Sequence, residues 1–108
     1  MKVIPLLFVF LLASSNCFSA TTQCSSNAVS QAKKLLLFHS NGDDRADVES
    51  RATQLSSLTN PTKKSQKFVV FEVNGYIYKG NYRMRIIYYE MGKECVLMGQ
   101  EILELATL

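Results

Sequence analysis

The stretch from Lys67 to Leu105 constrains this 108-residue chain more than any other part of it. Apolar and polar residues alternate there with a period of two, which puts successive side chains on opposite faces of a β-sheet. Two dipeptides punctuate the stretch, Gly80-Asn81 and Gly92-Lys93, each suited to a two-residue hairpin loop. With the first turn at Gly80-Asn81, Lys79 is expected opposite Tyr82, and every later pair follows. One face then collects Val69, Phe71, Val73, Gly75 and Ile77 with Tyr82, Met84, Ile86 and Tyr88. The other collects Glu72, Asn74, Tyr76 and Tyr78 with Arg83, Arg85, Ile87 and Tyr89. A half-buried antiparallel sheet needs such a separation, because a slip of one residue exchanges the faces.

A turn at Asn74-Gly75 is the competing reading. It leaves only the short strand Tyr76 to Lys79 between two turns and separates the faces less cleanly. The last strand, Glu94 to about Leu105, brings Cys95 and Leu97 to the apolar face. The same register sends Glu101 inward, unless a bulge at Gly99 flips the remainder and brings Ile102 in.

Ahead of the strands the period changes. Ala28, Val29, Ala32, Leu35, Leu36 and His39 form a helical stripe, with N-caps available at Ser25-Ser26-Asn27 and a left-handed stop at Asn41-Gly42. A second helix is expected from about Asp44 to Leu58, capped by Asp43 or Asp44, with Val48, Ala52, Leu55 and Leu58 on one face. Asn60-Pro61 closes it, and Thr59 to Lys67 is a polar, basic connection. The expected fold class is therefore α+β: two N-terminal helices packed on one face of a three-stranded antiparallel β-meander, forming a single domain over residues 21–108.

The first 20 residues read differently. Lys2 is followed by the apolar run Val3 to Ala13 and then by the small, polar segment Ser14 to Ala20, the three-part pattern of a secretory signal peptide. The apolar run is shorter than the roughly 20 residues a membrane-spanning helix requires. Cleavage is expected between residues 16 and 21. Membrane attachment is expected only if Cys17 is lipidated, and Ser14-Ser15-Asn16 lack the residues that usually precede such a site. These features place the protein outside the cytoplasm, secreted or periplasmic. Cys24 and Cys95 then form an even pair in an oxidising compartment, without CxxC spacing, and a structural disulfide between them is expected.

Charge and motifs exclude more than they propose. Lys and Arg number 12 against 9 Asp and Glu; losing Lys2 leaves 11 against 9, a formal +2. No clustered basic footprint for nucleic acid is present. His39 is the sole histidine and sits at a helix end, where it satisfies carbonyls and the helix dipole. Asp43, Asp44, Asp47 and Glu49 do not match a calcium loop, and Glu90, Glu94, Glu101 and Glu104 are spread along a hairpin. Neither a GxSxG elbow nor a phosphate loop occurs. No cofactor, metal or catalytic residue is assigned.

The expectation is thus an exported, non-catalytic binding module acting by protein–protein contact, in an inhibitor, immunity-type or envelope-assembly role. The alternative is a small extracytoplasmic enzyme or ligand carrier, which a deep polar pocket with converging carboxylates and His39 would favour. The candidate surface is the sheet face away from the helices, with Tyr78 opposite Arg83, Tyr76 opposite Arg85, and Ile87 and Tyr89 alongside. Val96 is expected beside Tyr89 and Met98 beside Ile87. Cross-strand Tyr–Arg pairs explain part of this face, but not its apolar centre. A partner protein or a second copy of the chain is the expected occupant.

Overall fold

The computed structural model describes residues 23–106. The expected signal segment and Cys17 lie outside these described residues. One helix, α1 (Ser25–His39), precedes five strands: β1 (Ala46–Val48), β2 (Thr53–Thr59), β3 (Lys67–Ile77), β4 (Gly80–Met91) and β5 (Glu94–Leu105). All pairings are antiparallel, in the order β1-β3-β4-β5, and β2 also pairs with β3. β1 lies against Gly75–Ile77 and β2 against Lys67–Glu72, so the two short strands lie end to end along one edge of β3.

Ala28, Ala32 and Leu36 recur every four residues along α1 and are fully buried. They meet Phe71, Val73, Met84 and Ile86 from the central strands, and Ala46 from β1, in one core. Two small residues in that stripe let the helix lie close to the sheet. Gly75 allows the closest approach: a Cβ there would stand 2.8 Å from Met84 Cε, 2.9 Å from Leu36 Cδ2 and 3.2 Å from the Asp47 carbonyl. Gly75 is therefore a buried mid-strand residue and not a turn. Gly75→Ala is expected to lower stability by about 1–3 kcal/mol through overpacking, read from a denaturant midpoint.

α1 ends as Asn41-Gly42 leads one to expect. Both residues have positive φ, 57° and 80°, and the Gly42 N–H donates to the Leu37 carbonyl at 2.8 Å. Its start differs from expectation. Cys24 occupies the cap position without a side-chain cap bond, and Ser25 to Asn27 lie within the helix. The Cys24–Cys95 disulfide fixes this end to β5, with Cα atoms 5.8 Å apart. Gln23 adds a bond from its side-chain amide to the Gly92 carbonyl, in the turn beside Cys95.

The fold class needs correction. There is no helix over Asp44–Leu58; the segment forms β1 and β2, and the described residues are mostly β, one helix on a five-stranded sheet rather than two helices on a three-stranded meander. The helical spacing of Val48, Ala52, Leu55 and Leu58 is real, but the segment is rich in Thr and Ser and has only four such positions. β3 is 11 residues long and would otherwise leave one edge open. Pairing along that edge overrides a weak local preference. Glu49 joins the two short strands: its N–H donates to the Asn74 carbonyl at 2.9 Å, and its carboxylate accepts from the Asn74 N–H at 2.6 Å.

The first hairpin needs a second correction. Its two-residue loop is Tyr78-Lys79, with Ile77 opposite Gly80, and not Gly80-Asn81. Tyr78 supplies the positive φ, 54°, that such a loop requires at its first position. The pairing is shifted by four residues from the expected one. An even shift keeps every side chain on its expected face while changing its partner. Val73 now faces Met84, Phe71 faces Ile86 and Glu72 faces Arg85, a better match of size and charge than the expected register offered. Tyr78–Arg83 and Tyr76–Arg85 are not pairs.

The second hairpin turns at Gly92-Lys93 as expected, with Met91 opposite Glu94 and Gly92 at φ 60°. The register slips between Ile87 and Tyr88, which leaves Met98 as the extra residue, next to Gly99. The slip places Ile102 opposite Met84, packed against the core, and turns Glu101 to the other face.

Candidate protein-contact face

α1 covers the face that carries Phe71, Val73, Met84 and Ile86, so Phe68, Val70, Ile87 and Tyr89 point the other way. Across the strands, Leu55 of β2 lies opposite Val70, Leu58 opposite Phe68, and Val96 opposite Tyr89. The result is a second apolar cluster that no helix among the described residues covers. Val70 is only 5% exposed, although α1 lies on the other face, because Leu55 and Ile87 flank it from both neighbouring strands. Phe68 and Tyr89 meet edge to face, with ring centroids 6.1 Å apart. A hollow of about 420 Å³ opens among Leu55, Leu58, Val70 and Ile87, and Arg85 and Glu101 form its charged wall. Gly99, opposite Ile87, adds no side chain there.

Toward the hairpin tip this face becomes polar. Arg85 donates from Nε to Glu72 Oε1 at 3.3 Å, and Arg83 Nε lies 3.8 Å from the same oxygen. The two arginine side chains are 38% and 43% exposed and Glu72 is 23% exposed, so each pair is worth on the order of 1 kcal/mol. Their effect is to hold both guanidinium groups at the margin of the apolar cluster.

Of the residues expected on the contact face, Arg83, Arg85, Ile87 and Tyr89 lie together on it, and Val96 stands beside Tyr89. Tyr76 is on the same side of β3 but near the tip, opposite Asn81 and 43% exposed. Tyr78 is in the loop itself, with Arg45 Cζ and Lys79 Nζ each 5.5 Å from its ring centroid. Met98 belongs to the bulge and does not pair with Ile87. Leu55, Leu58, Phe68, Val70 and Glu72 complete the site. Sequence pattern puts Glu72 on this face without a part in it, and Leu55 and Leu58 in a helix. The run Phe68-Val69-Val70-Phe71 carried the missed signal: a strand apolar at both parities has contacts on both faces.

The acidic residues after α1 do not converge. Asp43 accepts from the Arg45 side chain at 2.8 and 3.1 Å and from its N–H at 2.9 Å, whereas Asp47 bonds the Val48 N–H and Glu49 bonds Asn74. His39 rests edge-on against Tyr82, 5.6 Å away. Among the described residues, no group of three or more His, Cys, Asp or Glu is placed to hold a metal ion, and no polar or charged side chain is buried.

Hydrogen bonds from Arg45 hold the Asp43 carboxyl down at about 2. A depressed carboxyl contributes stability above its unfolded value, near 3.9, and loses it as pH falls through about 2. A carbon-detected titration of Asp43 is expected to give that low midpoint, and Arg45→Ala is expected to return it toward the ordinary value.

No family model matches the chain, and neither the curated proteins nor the solved structures contain a match to it.

Proposed function

We propose that the protein is an exported, non-catalytic binding module that holds another protein against the helix-free face of its sheet. One observation carries the reading: Leu55, Leu58, Phe68, Val70, Ile87 and Tyr89 form a continuous apolar patch on the side that α1 does not cover. A solvent-facing sheet surface is normally polar at these positions, and contiguous apolar patches on monomers mark contact sites. The patch combines a hollow for one apolar side chain, an aromatic pair, and arginine and glutamate at its margin, the composition of an interface centre with a polar rim. The partner that fits presents an apolar side chain flanked by residues of both charge signs. An inhibitor, immunity-type or envelope-assembly role is compatible with contact of this kind.

The Cys24–Cys95 disulfide agrees with an oxidising compartment, and the three-part N-terminal sequence supports secretion or delivery to the periplasm. Capture from the extracytoplasmic fraction on the immobilised, oxidised protein tests the function. A protein retained by the wild type and lost with Ile87→Asp is the expected result. Equal retention by both would remove the face from the account, and a dimer in sedimentation that Ile87→Asp dissociates would make a second copy the occupant.

A further inference from the structure

The sheet has one long edge that nothing among the described residues pairs with. β5 ends the strand order, and from Gly99 to Leu105 it runs in unbroken register with β4, an edge of about 23 Å. The opposite edge is divided between two short strands, and β2 carries a register shift between Leu55 and Leu58. Proteins blunt open edges with breaks of that sort, because an unpaired row of N–H and C=O groups accepts another extended chain. β5 has only the bulge at Met98.

The surroundings of β5 leave room for an added strand. One flank of α1, at Ser25 and Val29, lines a hollow with Ser50 to Ala52 and so faces the β1–β2 connection. The other flank, at Ser30, Gln31 and Lys34, faces β5 across a hollow of about 340 Å³ lined by Cys95 and Leu97, on the turn side of the Met98 bulge and next to the Gly99–Leu105 edge. Gln31 bonds Gln100 there at 2.9 Å. An open edge strand is the element to which extended peptides add, main-chain bonds giving affinity and alternate side chains giving selectivity.

We propose that the β5 edge is a strand-addition site for an extended, basic segment of another protein. Charge selects this occupant over a second copy. β5 carries Glu94, Glu101 and Glu104 and no Lys or Arg, so pairing two copies brings six carboxylates into one ribbon. Glu101 lies opposite Arg85, but the Arg85 guanidinium bonds Glu72. On the helix-free side of this edge Glu101 stands between Gly99 and Leu103, so the segment presents a Lys or Arg beside Glu101 there and short side chains toward α1. The groups that would pair are the main chain of the β5 edge and not the apolar patch; Glu101 also walls the hollow of that patch, so amide exchange along Gly99–Leu105 is what separates this site from the contact face.

The probe is a synthetic octapeptide alternating Lys with Thr and Val, compared with the same peptide carrying Glu for Lys. Amide exchange of the oxidised protein, followed residue by residue, is the readout. The Lys peptide is expected to slow exchange within Gly99–Leu105, and Glu101→Lys to weaken its binding by roughly tenfold. No slowing, or equal slowing by both peptides, overturns the proposal. Edge amides already protected in a free protein that sediments as a dimer would overturn it in favour of a second copy.

Discussion

Replacing Cys24 and Cys95 together by alanine is expected to lower the unfolding free energy by about 4 kcal/mol. The bridge closes a loop of 71 residues, and the entropy removed from the unfolded chain by a loop of that size corresponds to about this value. The bond also performs a local task, since the start of α1 has no side-chain cap and is held to β5 through Cys24. Cys24 is fully buried, so alanine avoids placing a hydroxyl in the core. For a domain of this size, 4 kcal/mol corresponds to a fall in melting temperature of roughly 15–30 °C. Reduced wild-type protein should melt with the variant. A variant that melts within a few degrees of the oxidised wild type would show that the bridge contributes little to the fold.

Phe71→Ala is expected to cost about 3–5 kcal/mol. Phe71 is the largest fully buried side chain, 1% exposed beneath α1. It lies opposite Ile86 and meets Tyr88 edge to face at 6.3 Å. Its removal forfeits the transfer energy of a ring and leaves a cavity bounded by a helix and a sheet that cannot both relax. A denaturant midpoint with unchanged slope measures it. Ile87→Ala, on the helix-free face and only half-buried, should cost distinctly less. If the two costs were equal, the division of the sheet into a covered and an uncovered face would be wrong.

Period-two alternation from Val69 to Tyr88 was enough to separate the two faces, because each apolar residue of one parity has the same side to bury. It could not select the partners. Gly80-Asn81 is the stronger turn dipeptide, but the Tyr78-Lys79 loop allows Val73 to meet Met84 and Glu72 to meet Arg85, and those gains lie in contacts distant in sequence. The inward position of Cys95, the Gly92-Lys93 turn and the register change near Gly99 were legible, each resting on local geometry. β1 and β2 were not, because their residues have little preference of their own and form strands only against β3. The helix-free face was therefore legible in its β4 part, Arg83 to Tyr89, and not in its β2 part. Leu55 and Leu58 reach it only through a pairing that crosses the Thr59–Lys67 connection.

The helix-free face, and not apolar exposure in general, is proposed to hold the partner. Phe38 separates the two, since it is the most exposed large apolar residue among those described, at 84%, and lies on α1 away from that face. The decisive measurement is the affinity of the captured partner for Leu58→Ser, Ile87→Thr and Phe38→Ser, each shown to melt as a folded, oxidised protein. The account predicts that Ile87→Thr weakens binding by roughly 30-fold, a loss of about 2 kcal/mol at an interface centre. Leu58→Ser should weaken it by a smaller factor and Phe38→Ser not at all. Full affinity in Ile87→Thr and Leu58→Ser, with the loss falling on Phe38→Ser, would contradict it.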